Sequence, residues 1–372
     1  MSLNVNILPV FEQLQLYDEL MSLAFICPQA QMFDENMKRI GVRSNEGLKE
    51  RLGYDYVVFS RPKLYELLLS KVPSHRILFG KKVLSIQHAL GDTCHTVSLK
   101  CSDNSTYDGD ILVGADGAYS AVRQSLYRSL DAMKKLPPKD AQGLRIGYLT
   151  LVGTTDPMDD EKMAELKDNF SHFAMVIGSG KPYTWSVFTI PEKRVCWTVQ
   201  VQIAESTAEE RAFRNTEWGP ESNEAMIREV SDFSTPFGPL GRFIEATPRD
   251  RISKVFLEEK LFETWHSGRT VLIGDAAHKM LPAAGQGAVN AMQDSVILAN
   301  CLYDIANCPT TENITAAFRD YQEQRFSHVK FQFESSKFQA KILFGQTFGE
   351  RMLRQVVFGF LECVPMEKRL WH

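Results

Sequence analysis

Apolar residues recur at helical spacing close to the start of the chain. Ile7, Leu8, Val10, Phe11, Leu14, Leu16, Tyr17 and Leu20 form one stripe, which predicts a helix with no strand before it. The run Tyr56 to Phe59 then reads as a short strand. It leads through Ser60-Arg61-Pro62, an N-cap followed by an early proline, into the helical spacing of LYELLLSKV. From Arg76 to Val113 the pattern changes to short alternating runs separated by Gly, Asp and Asn, as hairpins and a returning strand require. Between about Arg145 and Ile203 the runs IGYLTLVGT, FAMVIGSG, YTWSVFTI and RVCWTVQVQI are rich in Val, Thr, Ile and aromatics, which predicts a separate, mostly antiparallel sheet. Helical stretches follow near Ala208 to Asn215 and Glu224 to Phe233. The run RTVLIGDAAH, from 269, is a buried-type strand ending in small residues and an acid, and the first domain resumes there. Beyond Ala288 the pattern is helical to the end, with aromatics at Phe318, Tyr321, Phe326, Phe331, Phe333, Phe338, Phe344 and Phe348. No fixed-period repeat is visible.

Composition narrows the class. At 372 residues the chain holds about two domains, and 44% apolar with 24% charged residues is the make-up of a soluble folding protein. The 42 Lys and Arg against 46 Asp and Glu leave a net charge of −4, without long blocks of one sign, so nothing favours nucleic acid as a partner. Seven scattered cysteines, none spaced C-x-x-C, point to reduced thiols and a cytoplasmic chain with no metal framework. The sequons at Asn104, Asn169 and Asn313 read as chance matches, since the N-terminus lacks a secretory pattern. No run of 18 apolar residues exists to span a bilayer.

Two strings carry candidate chemistry. In GDILVGADGAYSAVR, residues 109 to 123, an apolar strand ends in Gly114-Ala115-Asp116-Gly117, and Ser120 can cap a helix with Arg123 in its first turn. Small residues at a strand's C-terminal end let a bulky ligand reach the backbone. The string reads equally as a plain strand-turn-helix connection with a capping serine and a surface Asp–Arg pair. In the second string, residues 269 to 300, Val271 to Ile273 form a strand and Gly274-Asp275-Ala276-Ala277 set one carboxylate among residues too small to block a ligand. Asp275 can accept hydrogen bonds from sugar-like hydroxyls. Pro282, Gly285-Gln286-Gly287 and Asn290 then introduce a helix whose N-terminal N–H groups and positive dipole end face whatever lies over Asp275. Read alone, Gly285 to Asn290 is only a weak G-x-G-x-x-G fingerprint.

Together the two strings closely resemble the paired motifs of FAD-dependent monooxygenases of the aromatic-hydroxylase and zeaxanthin-epoxidase type. The resemblance covers nearly the whole chain, including Trp265 to Gly268 before the second strand, Asp294 four residues past Asn290, and the helical tail. It implies an α/β fold: a Rossmann-like FAD/NAD(P)-binding domain at 1–143 and 261–310, an inserted antiparallel substrate domain at 144–260, and C-terminal helices at 311–372. It implies that Asp116 and Arg123 sit near the pyrophosphate, that Asp275 binds the ribitol, that Pro282 borders the reactive flavin edge, and that Gly285, Gln286, Gly287 and Asn290 lie under the pyrimidine end. Arg61, opening R-x-x-L-x-x-x-L after a strand, matches the family's arginine that reaches back toward FAD. The implied reaction uses NAD(P)H and O2 to hydroxylate or epoxidise a small hydrophobic or aromatic substrate through a flavin peroxide, the protein supplying a dry pocket, orientation and electrostatics. No acid, base or nucleophile stands out as catalytic, and His278 reads as a structural part of the loop.

The family opens with a strand, a G-x-G-x-x-G turn, a helix and a second strand, and none of these is found here. The expectation is therefore a chain lacking that N-terminal βαβ unit, a shortened form of a working enzyme. A halogenase is disfavoured because Ser186 and Phe188 stand where its W-x-W-x-I-P needs tryptophan. A reductase of the same fold and a catalytically silent scaffold remain as alternatives. The tail from Phe326 to Phe360, with Lys330, Lys337, Lys341, Arg351 and Arg354, admits either a membrane-surface face or a terminal helix packed on the core. Candidate walls of a substrate pocket are Phe173, Met175, Trp185, Phe188 and Trp197, each equally well explained by core packing.

Overall fold

The computed structural model describes residues 1–88, 96–203, 220–303, 305 and 310–363, with backbone only at 88, 220–222 and 359–363. The helix expected near Ala208 to Asn215, and Cys94 and Cys308, lie outside the described residues. The chain divides into two compact units: residues 1–69, 146–257 and 338–372 in the first, and 70–145 and 258–337 in the second. Residues 1–69 thus belong with the antiparallel sheet, whereas the sequence pattern groups 1–143 together.

The first unit holds one large sheet. Its strands are β1 (Gln29–Asp34), β2 (Arg39–Ser44), β3 (Arg145–Thr154), β4 (Phe173–Ile177), β5 (Tyr183–Ile190), β6 (Arg194–Gln202) and β7 (Ser253–Leu261). Their order across the sheet is β7-β3-β6-β5-β4-β1-β2. β3, β6, β5 and β4 pair antiparallel, as their alternation predicts, but β1 joins β4 in parallel. One face carries Leu151, Trp185, Val187, Val195, Trp197 and Val199, packed with Ile227, Val230, Leu240 and Phe243 of the helices Pro220–Val230 and Leu240–Glu245. Trp185 and Trp197 are therefore core residues and not pocket walls. The opposite face carries Tyr148 and Thr150 of β3, Thr198, Gln200 and Gln202 of β6, Ser186 and Phe188 of β5, and Phe173 of β4, placed by the period-two alternation of the strands. Phe173 stacks on Phe188 at 5.1 Å between ring centres.

The opening stripe is not one helix. Helices Leu8–Gln13 and Tyr17–Ser22 are split at Gln15, whose φ of 58° no continuous helix tolerates. A strand does precede them, contrary to the pattern: Ser2–Leu3 pairs with Val57–Phe59, and two residues are too few to show an alternation.

In the second unit, strands Val83–His88, Val97–Cys101 and Thr106–Gly109 form the expected antiparallel meander. The strands of the two motif strings lie side by side: Leu112–Gly114 pairs in parallel with Thr270–Leu272, which also pairs with His266–Ser267. Helix α1 (Ala121–Ala132) packs on this pair, with α2 (Gly287–Tyr303) and the first part of α3 (Thr311–Phe344) around a core that includes Trp265, Val271, Leu272, Phe318 and Tyr321. Among the described residues no helix is long and apolar enough to cross a membrane. After α3 comes α4 (Phe348–Cys363), in the first unit. Of the tail's aromatics Phe318, Tyr321, Phe333 and Phe344 are buried while Phe331, Phe338 and Phe348 are exposed, and Arg354 is buried, so packing accounts for much of the pattern.

Candidate functional site

Parallel pairing brings the C-terminal ends of both motif strands to one edge. The Ile273 N–H donates to the Gly114 carbonyl at 3.1 Å, extending the ladder to the point where each string turns. Glycine at 114 is a packing requirement: a Cβ there would lie 2.7 Å from Val122 of α1 and 2.8 Å from Leu272 of the neighbouring strand. Asp116 caps the helix beyond. Its carboxylate accepts from the Ser120 hydroxyl at 2.5 Å and from the Val122 N–H at 3.1 Å, while Ser120 Oγ accepts from the Arg123 N–H at 2.9 Å. The capping serine of the sequence reading is present, but the surface Asp–Arg pair is not. Arg123 is buried, lies 4.2 Å over the Phe262 ring, and donates to the Ala276 carbonyl at 2.9 Å and the Ala118 carbonyl at 2.6 Å. It ties the turn of one string to the turn of the other.

The second turn is a 3₁₀ segment, Gly274–Ala276, with Gly274 at φ 59° and its prospective Cβ 3.0 Å from Ala291. Asp275 is half-buried and pairs with Lys279 at 2.7 Å, a partner four residues on that sequence reasoning missed. Pro282 opens a further 3₁₀ turn, Gly285 closes it at φ 66°, and Gly287 starts α2. Pro282 is exposed, and Gly285, Gln286 and Gly287 are half-buried. Gln286 Oε1 is buried with no hydrogen-bond partner. A 17-residue helix therefore presents its N-terminal N–H groups beside two glycines and two alanines, an arrangement that accepts a flat or negatively charged group.

Beneath this loop lies a buried charge network. Asp294 accepts from the Gly274 N–H at 2.9 Å and from Arg325 Nε at 2.8 Å, and shares a 2.5 Å hydrogen bond with His278 Nε2. Arg325 also donates to Asn290 Oδ1 at 2.9 Å, and the Asn290 amide donates to the Gln286 carbonyl at 2.9 Å. Burial would raise the Asp294 carboxyl, but hydrogen bonds and charges from His278 and Arg325 outweigh it and hold the group below the usual aspartate range. His278 is buried and bonded to Asp294 beneath the loop. Asn290 is fully buried and occupied with Arg325 and Gln286, so it shapes the loop from below. Arg61 opens the helix Arg61–Ser70 in the first unit and is exposed.

A family model described as an FAD binding domain matches residues 240–332, which include the whole second string. FAD-dependent monooxygenase esdpE of Penicillium shearii is 28% identical over 320 residues, 84% of this chain and 63% of that protein. FAD-dependent monooxygenase nodM of Hypoxylon pulicicidum is 27% identical over 91% of this chain and 72% of its own length. The chain is thus similar, over most of its length, to FAD-dependent monooxygenases. It spans 63% of the length of esdpE and of the similarly matched cle3 of Aspergillus versicolor. Two solved structures share the fold. HpxO of Klebsiella pneumoniae, complexed with FAD and uric acid, superposes with a TM-score of 0.76 at 21% identity over 99% of this chain and 84% of its own. 2,6-dihydroxypyridine-3-hydroxylase of Arthrobacter nicotinovorans gives 0.70 at 17% identity over 94% and 84%.

Proposed function

We propose that this chain binds FAD over the Gly274–Ala276 turn and the start of α2, and serves an NAD(P)H- and O2-dependent monooxygenase acting on a small organic substrate. The observation that carries the reading is the parallel pairing of the two motif strands, which gathers Asp275, the glycine-rich loop and the N-terminus of α2 at one edge. The residues fit the cofactor. Alanines and glycines leave backbone accessible, Asp275 offers a half-exposed carboxylate, and the Gln286 amide oxygen is without a partner. Asp275 would accept hydrogen bonds from the ribityl hydroxyls, with Lys279 holding its orientation. Pro282, Gly285, Gln286 and Gly287 would border the ring, and the dipole of α2 would favour negative charge there. Arg123 would act by fixing the Ala118 and Ala276 backbones near the pyrophosphate, Asp116 by capping the helix that carries Arg123, and Asn290 by fixing the Gln286 peptide. Arg61 is a further candidate for contact with FAD. When bound, FAD supplies electron transfer from NAD(P)H and the activation of O2.

The test is titration of the purified chain with FAD, followed by flavin fluorescence, alongside NAD(P)H oxidation and O2 uptake. Asp275→Ala should weaken FAD by about 1.5–3 kcal/mol, roughly 10- to 100-fold. Equal FAD affinity of the variant and the parent, or no FAD binding by either, would overturn the site assignment.

A further inference from the structure

The sheet face that carries Tyr148 and Gln200, and the α3–α4 connection packed against it, hold two side-chain amides with buried atoms that lack a hydrogen-bond partner. Gln200 of β6 is nine-tenths buried. Its Nε2 donates to Thr198 Oγ1 at 2.7 Å, and Thr198 is in turn bonded to Ser186 Oγ at 2.7 Å, which leaves Gln200 Oε1 buried with no partner. Gln346, in the connection between α3 and α4, has both Oε1 and Nε2 buried with no partner. Its backbone N–H donates to the side chain of Gln202 at 2.6 Å, and Gln202 lies two residues beyond Gln200 on the same face of the same strand. The two amides therefore belong to one neighbourhood.

The loop that presents Gln346 is fixed from several sides. Buried Arg354 donates to the Ile342 carbonyl at 2.7 Å and also to the Gly345 carbonyl. A Cβ at Gly345 would lie 2.3 Å from the Lys341 carbonyl oxygen and 2.7 Å from Glu350, so only glycine fits. Thr347 and Glu350 close a reciprocal cap on α4, the Thr347 N–H donating to Glu350 at 3.1 Å and the Glu350 N–H to Thr347 Oγ1 at 3.4 Å. Tyr148, opposite Gln202 in the register, meets Phe344 edge-on at 5.8 Å. A rigid loop and a polar ladder thus hold two acceptors and one donor in a buried, aromatic-flanked place. Buried polar atoms in this condition call for a partner that the protein itself does not supply.

We propose that Gln200 and Gln346 form the polar subsite for the substrate, and that the substrate class is a cyclic amide or imide. The ring C=O accepts from Gln346 Nε2, the adjacent N–H donates to Gln346 Oε1, and a second N–H or O–H donates to Gln200 Oε1. This deepens the monooxygenase reading and rests on it for the word substrate, while the binding itself requires no cofactor. The probe is quinazoline-2,4-dione, compared with its 1,3-dimethyl derivative, which keeps the ring and both carbonyls but has no N–H. Calorimetric titration of the full chain, with and without FAD, should show the parent dione binding at least roughly tenfold tighter. Gln200→Leu and Gln346→Leu should each bring the two probes to within a few-fold of one another. Gln200→Glu, which keeps acceptor oxygens at that position, should retain the discrimination, and thermal unfolding confirms that each variant is folded. Equal binding of the two probes, binding of neither, discrimination that survives both leucine variants, or an ordered water alone on the two amides would overturn the proposal. FAD uptake, read by flavin absorbance on the same samples, fails or succeeds independently, so loss of the cofactor reading is distinguishable from loss of the subsite.

Discussion

Asp294 shows how one buried charge can organise a loop that it does not belong to. Its carboxylate receives the Gly274 N–H, Arg325 and His278, which compensates for removal from water. Arg325→Met should leave that charge without its cationic partner and cost about 3–5 kcal/mol, read as a lower urea midpoint at unchanged slope. The pH dependence follows in sign. Because the folded carboxyl lies below its unfolded value near about 3.9, its stabilisation is complete above roughly pH 5 and is lost as pH falls through the folded value. The stability gap between the parent and Asp294→Asn should therefore narrow as urea midpoints are followed from neutral toward acid, and a gap constant with pH would contradict the network. Asp294 was visible in the sequence only as an acid four residues past Asn290. Arg325 gave no signal, because its partner lies 31 residues away and only the packing of α3 against α2 joins them.

At the scale of elements, β3 and β6 were legible because each buries one face and so alternates along its length, and β4 and β5 because apolar, β-branched and aromatic residues fill them. Gln29–Asp34 was not legible. All six of its residues are half-buried, and QAQMFD carries no clean two-residue period. Glycine at 114 has a meaning that only the contact of strand and helix reveals. Gly114→Ala should destabilise the protein by about 1–3 kcal/mol through overpacking against Val122 and Leu272, measured by thermal or urea unfolding. Gly285→Ala is a different kind of change. At φ 66° a side chain is conformationally strained, at about 1 kcal/mol, and the loop ahead of α2 should lose FAD affinity more than the fold loses stability.

At the scale of the whole molecule, both units are assembled from separated stretches of chain. Leu112–Gly114 finds its only partner among the described strands in Thr270–Leu272, more than 150 residues later. A fragment of residues 70–145 should consequently show no cooperative unfolding on its own, whereas addition of 258–337 should restore a transition detectable by circular dichroism; cooperative melting of the fragment alone would refute this. Legible along the chain were the two motif strings, their strand-turn-helix character, the sheet of 145–203 and the resemblance to FAD-dependent monooxygenases, because these depend on local spacing and residue type. Not legible were the pairing of Gln29–Asp34 and Arg39–Ser44 into that sheet, the burial of Arg123 as a tie between two turns, and the support that Asp294 and Arg325 give the loop. Those features arise from contacts between residues remote in the chain, and a linear pattern of apolar and polar positions carries no record of which distant groups share a buried space.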